Sequence, residues 1–337
     1  MSCGAASLCL IADVGATNAR FALCDGESGF QRVRVLACKD YSSIQDAIAS
    51  YLNDALQPAD VGRVKAAALA IAGPVADDWV TLTNHPWSFS KNELRRHLAI
   101  DRLLVVNDFT AVAAATPYLT SDERVQVGGG APLAAAPIGV VGPGSGLGVG
   151  GLIPTAGGWL PLSGEGGHVT MTPLTARESE VLNRLREDLD HVSAERILSG
   201  PGLANIYKAL AEMDGAPAAS YTSAQITDPA IGERDPHCRE AVEMFCAMLG
   251  TIAGNLALTL GALGGIYIAG GIVPKLGTVF TESGFRQRFE DKGRLRPYLA
   301  RIPTYVVTHP FPAFLGLSKL LADLPQRAGQ SAGIING

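Results

Sequence analysis

Leu8-Cys-Leu-Ile-Ala-Asp13-Val-Gly15-Ala16-Thr17-Asn18-Ala-Arg20 and Ile138-Gly-Val-Val-Gly142-Pro143-Gly144-Ser145-Gly146-Leu-Gly148 are the two stretches on which the reading of this chain turns. Each is an apolar run that breaks at a glycine-rich turn and resumes as a second apolar run. Each therefore reads as the tip of a β-hairpin. Backbone N–H groups in such turns can converge on an anion, and Thr17 and Ser145 add hydroxyl donors. One such loop is common. Two, in the two halves of one chain, point to a polyphosphate gripped from both sides.

Working outward, the first half reads as three strands, Leu8–Ala12, Ala19–Cys24 and Val33–Ala37, with a turn at Asp25-Gly26. A helix follows from Ser43 to Leu56, then a buried strand Val64–Ala72. Ser90 and Glu93 form a capping box for a short helix. A strand Arg102–Val106 leads through Asn107-Asp108 into a helix. The second half opens the same way, with Ile138–Val141, a glycine turn, Leu147–Ile153, a turn at Pro154–Gly158, and Trp159–Leu162. Thr175 and Glu178 cap a helix to Asp188, Ser193 caps a short one, and Pro201 begins another. Later come a strand Thr304–Thr308 and a helix Phe314–Leu324. There is no sequence repeat; the layout repeats. That pattern predicts two similar α/β domains facing each other across a cleft. The expected bounds are 1–118 for the smaller domain, completed by a C-terminal helix at about 311–325, and 119–310 for the larger. The Gly/Ser/Gln-rich tail 326–337 is expected to be mobile.

Bulk composition narrows the function classes. The chain has 337 residues, 47% apolar and 18% charged, with a mean hydropathy of +0.19. That suits a large core and excludes disorder. A net charge of −5 without a basic block argues against a nucleic-acid binder. The six cysteines form no CxxC pair and mostly lie in apolar runs, so they read as buried small hydrophobes in a reducing cytoplasm, not zinc ligands. The N-terminus lacks a positive region and Asp13 interrupts its apolar stretch, unlike a secretory signal. Met244 to Val273 carries no charge and holds Gly250 and Gly254 at GxxxG spacing. The pattern starts further back among Arg239, Glu240 and Glu243, so it reads as a buried helix followed by a strand Ile266–Ala269, with a membrane helix second.

Three polar clusters could do chemistry. Asp13 ends a buried strand, where ligands of such sheets gather. An Asx-turn would explain it blandly, but Thr17, Asn18 and Arg20 crowd the same loop. A carboxylate that organises magnesium through water fits better. Asn107-Asp108 could be only a helix cap. A cap needs one side chain and here there are two, so Asp108 is the candidate general base and Asn107 a substrate hydrogen-bond partner. In Ser163-Gly164-Glu165-Gly166-Gly167-His168 the glycines allow close approach of a ligand. Glu165 and His168 suit a polyhydroxylated one. Glu195, in the expected first turn after Ser193, is explained by the helix dipole alone. Gly270-Gly271 serves equally as a tight turn or as a flat surface for a base or ribose. The run Gly146–Gly151 matches G-x-G-x-x-G but leads into a strand, so it fails the dinucleotide context.

Taken together these motifs resemble the ATP-dependent, zinc-free bacterial glucokinases. The resemblance runs from about Leu8 to Leu320. It adds Leu82-Thr-Asn84-His85-Pro-Trp87, His191-Val-Ser-Ala-Glu195-Arg-Ile-Leu-Ser-Gly-Pro-Gly202 and Ile268-Ala-Gly-Gly-Ile-Val-Pro-Lys275 to the stretches above. It implies a two-domain actin-like (ribonuclease H-like) sugar kinase fold with a cleft between the domains, cytoplasmic and usually dimeric, that phosphorylates glucose at the 6-hydroxyl with Mg-ATP. Asp108 is then the base, and Asn107, Glu165, His168, Glu195 and Asn84 are sugar positions. Asp13, Gly15, Thr17, Asn18, Gly142, Gly144, Ser145, Gly146, Gly270 and Gly271 face the nucleotide. The related repressor/kinase group has a cysteine-rich zinc motif after its glycine-His stretch; Val169-Thr-Met-Thr-Pro stands here, so no structural zinc is expected. Ala16 replaces a usual glycine, Pro143 removes a turn N–H and Ser145 replaces a threonine. All three bear on ATP affinity, Ala16 by ~1–2 kcal/mol if its φ must be positive. Rivals are a kinase for another hexose, a sugar-sensing regulator (disfavoured because only seven residues precede the first strand) and a filament-forming ATPase.

Overall fold

The computed structural model describes residues 8–25, 29–60 and 62–323. The turn at Asp25-Gly26 falls partly, and the tail 326–337 wholly, outside the described residues. By internal contacts the chain divides into two units, Met1–Leu119 with Pro310–Gly337, and Thr120–His309.

The first unit is built on β1 (Leu8–Val14), β2 (Asn18–Cys24), β3 (Phe30–Ala37) and β4 (Val64–Ile71), then the short hairpin β5 (Trp79–Thr81) and β6 (Ser88–Ser90), then β7 (Arg102–Asn107). The main sheet has the order β3-β2-β1-β4-β7. β1, β2 and β3 form an antiparallel meander, while β4 and β7 run parallel to β1. The continuous Ala/Leu/Ile composition of β4 matches its central place; Ala66–Ile71 is buried throughout. The helix Ile44–Ala55 starts at Ser43, whose side chain accepts from the Asp46 N–H, and turns Ile44, Ala47, Ile48 and Tyr51 inward.

The second unit contains β8 (Arg124–Val127), β9 (Ile138–Pro143), β10 (Leu147–Thr155), β11 (Gly158–Gly164), β12 (Ile266–Ile268) and β13 (Thr304–Val307). Its order is β11-β10-β9-β12-β13-β8. β9, β10 and β11 are an antiparallel meander and β12 and β13 are parallel to β9. The first five strands of this order repeat the first sheet position for position, and β8 is an addition at the edge. Both glycine-rich stretches are therefore tips of the same hairpin in two copies of one layout.

The apolar helix is Pro236–Leu260, capped by Asp235 and closed by Gly261 at φ +61°. It is largely buried within its own unit. Gly250 and Gly254 lie against the backbone of the helix Phe285–Glu290, where a Cβ would overlap the Phe285 and Phe289 carbonyls. The GxxxG spacing is thus consumed inside the chain.

One expectation fails. Ser193 does not start a helix: Ser193–Ser199 is a series of turns, and the helix Gly200–Met213 begins at the next cap, Ser199. Ser193 Oγ accepts from the Arg196 N–H (3.3 Å), which closes a single turn only. Pro201 starts a new helix too soon for one begun at Ser193 to extend. The short helices Pro229–Gly232, Val273–Leu276, Thr278–Thr281 and Phe285–Glu290 carry too few residues for a readable period.

The helix Pro312–Asp323 packs on the helix Asp108–Ala115, and Gly316 is the point of nearest approach; a Cβ there would overlap the Ala111 carbonyl. Gly316→Ala should lower the unfolding free energy by about 1–3 kcal/mol in urea denaturation. Unchanged stability would show that the two helices do not meet through this glycine.

Candidate active site

In the first unit the carboxyl ends of β1, β4 and β7 are in register, Val14 beside Ile71 and Ile71 beside Asn107. Asp13 and the Asn107-Asp108 pair therefore sit at one sheet edge, about 10 Å apart across β4. The β1–β2 turn closes with the Gly15 N–H donating to the Asn18 carbonyl (3.0 Å). It is anchored from the end of β3, where Cys38 N–H donates to the Thr17 carbonyl (2.9 Å) and Cys38 Sγ to the Gly15 carbonyl (3.4 Å). Burial pushes the Cys38 thiol up, which keeps it a protonated donor. Ala16 does not adopt positive φ, so its Cβ carries no left-handed strain here. Thr17 and Asn18 present exposed side chains beside it.

Asp13 is about one-fifth exposed and pairs with Arg20 at 2.9 Å, its partner across the β1–β2 ladder. Burial pushes its carboxyl above the usual range, and the Arg20 guanidinium opposes that shift. Asn107 is the N-cap of the helix Asp108–Ala115: its Oδ1 accepts from the Phe109 N–H (2.8 Å) and the Thr110 N–H (3.3 Å). Its Nδ2 donates to the Gly73 carbonyl (3.2 Å). Asp108 is the first helical residue, half-buried, and Phe109 N–H also donates to its Oδ1 (2.9 Å). Gly73 went unnoticed in the sequence. It holds φ +152° and is walled in by Thr83 Oγ1 and the Thr81 carbonyl. The neighbouring Ala72 carbonyl accepts from the Thr83 N–H (3.1 Å), next to the exposed Asn84. The run Ala72-Gly73-Pro74 after a buried strand was the only signal of Gly73.

In the second unit the other candidates converge on the β9–β10 tip. Gly144 N–H donates to the Gly146 carbonyl (2.8 Å), and Gly200 N–H donates to the Gly144 carbonyl (2.8 Å). Gly270, at φ +83°, abuts the Pro143 carbonyl so closely that a Cβ would overlap it. Gly167 abuts the Leu147 carbonyl in the same way. Glu195 Oε2 accepts from the Leu147 N–H (2.8 Å), and the Glu195 N–H donates to the Gly167 carbonyl (2.9 Å). Gly142 is buried in β9, whereas Ser145 is exposed at the tip. Glu165 and His168 are both exposed, with Oε2 and Nε2 4.0 Å apart across the turn Gly166–His168. Glu195 is thus not a helix-dipole carboxylate: it lies in the turns after Ser193 and bonds the glycine tip.

The glycines of the second unit leave room for an anionic ligand at the β9–β10 tip. A Cβ at Gly144 or Gly271 would meet nothing within 4 Å, so the space before both is open for a ligand. Among the described residues no three His, Cys, Asp or Glu side chains group as metal ligands. Asp13 alone suits magnesium, which commonly takes one or two carboxylates and completes its shell with water and phosphate oxygens.

The two sheets of one layout are those of the actin-like sugar-kinase fold. A crystal structure of a glucokinase from an Antarctic psychrotroph superposes with a TM-score of 0.82 at 37% identity, covering 94% of this chain and 99% of that one. The glucokinase family model matches residues 10–324, and this chain belongs to that family. A protein named glucokinase from Aromatoleum aromaticum is 49% identical over 313 residues, 93% of this chain and 94% of that protein. "Bifunctional protein glk" of Burkholderia pseudomallei is 53% identical over 328 residues, 97% of this chain and 50% of that protein. The chain spans about half the length of the bifunctional relatives it matches.

Because burial raises the Asp13 carboxyl, its ionised form is disfavoured in the folded chain at pH above the raised value, and that cost disappears as pH falls below the ordinary carboxylate range. Asp13→Asn should therefore leave the thermal midpoint at pH 7 equal or higher. A lower midpoint at pH 7 would contradict this reading of Asp13.

Proposed function

We propose that this chain phosphorylates glucose at the 6-hydroxyl with Mg-ATP, giving glucose 6-phosphate and ADP. Family membership supports the reaction class. The division of labour at Asn107-Asp108 carries the mechanism. Asn107 caps the helix through two N–H groups, and the half-buried Asp108 carboxylate beside it accepts from the Phe109 N–H, which holds it at the carboxyl edge of the sheet.

Asp108 then accepts the proton of the sugar 6-hydroxyl as the oxygen bonds to the γ-phosphorus. The bond from that phosphorus to the bridging oxygen breaks, and its electrons leave on ADP. Little covalent work falls to the protein in such a transfer, and positioning with charge stabilisation dominates. Asn107, Asn84, Glu165, His168 and Glu195 supply the polar contacts a hexose needs. The turns at Gly15–Asn18 and Gly142–Gly146, with Gly270 and Gly271, receive the nucleotide. Asp13 would hold magnesium through water, and the ion would supply neutralisation of the phosphate charge. The reading includes a cytoplasmic homodimer without structural zinc, nucleic acid or membrane as partner. It also includes a smaller domain, about 1–118 with the C-terminal helix, and a larger one, about 119–310.

Asp108→Asn should lower kcat for glucose phosphorylation by about 10²–10⁴-fold, the usual worth of a general base. Nucleotide affinity should stay within about twofold of the parent. Product identified by phosphorus NMR and nucleotide binding by calorimetry check both. Glucose 6-phosphate formed at the parental rate would remove Asp108 from the base role, and no phosphorylated sugar from the parent would remove the reaction. A panel of hexoses in the same assay should favour glucose over mannose and N-acetylated hexoses.

A further inference from the structure

Leu147 joins the glycine tip to the sugar-side loop. Its N–H donates to Glu195 Oε2 and its carbonyl is met by Gly167. Its register partner in β9 is Pro143, whose carbonyl accepts instead from the Ile272 N–H on the other side of the strand (3.4 Å). Leu147 itself is buried, so its N–H needs a partner within the protein. Glu195 comes from 48 residues away to supply one. The carboxylate also fills the space in front of Gly146, where a Cβ would overlap Oε2.

From these contacts we propose that Glu195 is a positioning residue for the nucleotide turn, in addition to any contact it makes with sugar. Its Oε2 fixes the Leu147 N–H and so holds the Gly144–Leu147 backbone in the shape that meets phosphate. The assignment of phosphate to that turn rests on the proposed kinase reading; the fixing of the turn does not. Glutamine at position 195 retains an oxygen acceptor at the same reach. Aspartate keeps the charge but withdraws the acceptor by one methylene. A side chain that touched only sugar would leave nucleotide binding unaltered when sugar is absent.

The test uses the full chain and the variants Glu195→Gln, Glu195→Asp and Glu195→Ala, with no sugar present. Hydrogen exchange of the peptide 142–149 reports the turn itself, and calorimetry with a non-hydrolysable Mg-ATP analogue reports its use. The expected result is parental exchange for Glu195→Gln and exchange at Leu147 about tenfold faster for Glu195→Asp and Glu195→Ala. Analogue affinity should stay within about twofold for Glu195→Gln and fall about tenfold for the other two, the worth of one lost hydrogen bond. Because aspartate preserves charge and hydration, the comparison stands even if the alanine variant fails to fold. Parental exchange in Glu195→Asp, or equal acceleration in Glu195→Gln, overturns the proposal. Failure of the parent to bind the analogue would overturn the kinase reading instead, while the exchange measurement still decides the role of Glu195.

Discussion

A backbone turn can receive an anion only if its N–H groups are held still and the space before them is kept clear. The β9–β10 tip meets both demands by close backbone contacts. Gly270 meets Pro143, Gly200 donates to the Gly144 carbonyl, and Glu195 takes the Leu147 N–H. Glycine at 270 and 167 is needed so that backbone can touch backbone, and at 146 so that the Glu195 carboxylate can come near. Glycine at 144 and 271 has the opposite use, leaving open space for a ligand. The glycines of one motif thus divide between building the turn and exposing it.

The first unit solves the same problem differently. Its turn is pinned by one neighbouring element, through Cys38 N–H and Sγ, and its walls are polar side chains. Asp13 and Arg20 face each other across the ladder, and Thr17 and Asn18 stand exposed at the tip. Two strands away, Asn107 caps a helix through two N–H groups, and Asp108 beside it at the helix N-terminus also accepts from the Phe109 N–H. Gly316 presses the C-terminal helix onto the same helix one turn further along.

Much of this was legible in the sequence because it is local. An apolar run, a glycine turn and a second apolar run specify a hairpin. Thr175 with Glu178 specifies a cap, and both side-chain bonds of that capping box are present. The uncharged stretch around Met244 was readable as a buried helix because charged residues share its earlier turns. Contacts between distant segments left no local trace. Glu195 to Leu147, Gly316 to Ala111 and Gly250 to Phe285 each depend on the packing of separate elements. The misreading at Ser193 has the same origin: a serine before an apolar stretch looks like a cap, and only the next serine, followed at once by Gly-Pro-Gly, marks the helix that forms.

The central claim is that glycine turns and a positioned aspartate serve sugar-dependent phosphoryl transfer, not nucleotide hydrolysis alone. Its most direct measurement is ADP release from Mg-ATP by the purified chain with and without glucose. The account predicts ADP release that depends on glucose and stops when glucose is consumed. Equal ADP release in the absence of any sugar would contradict it.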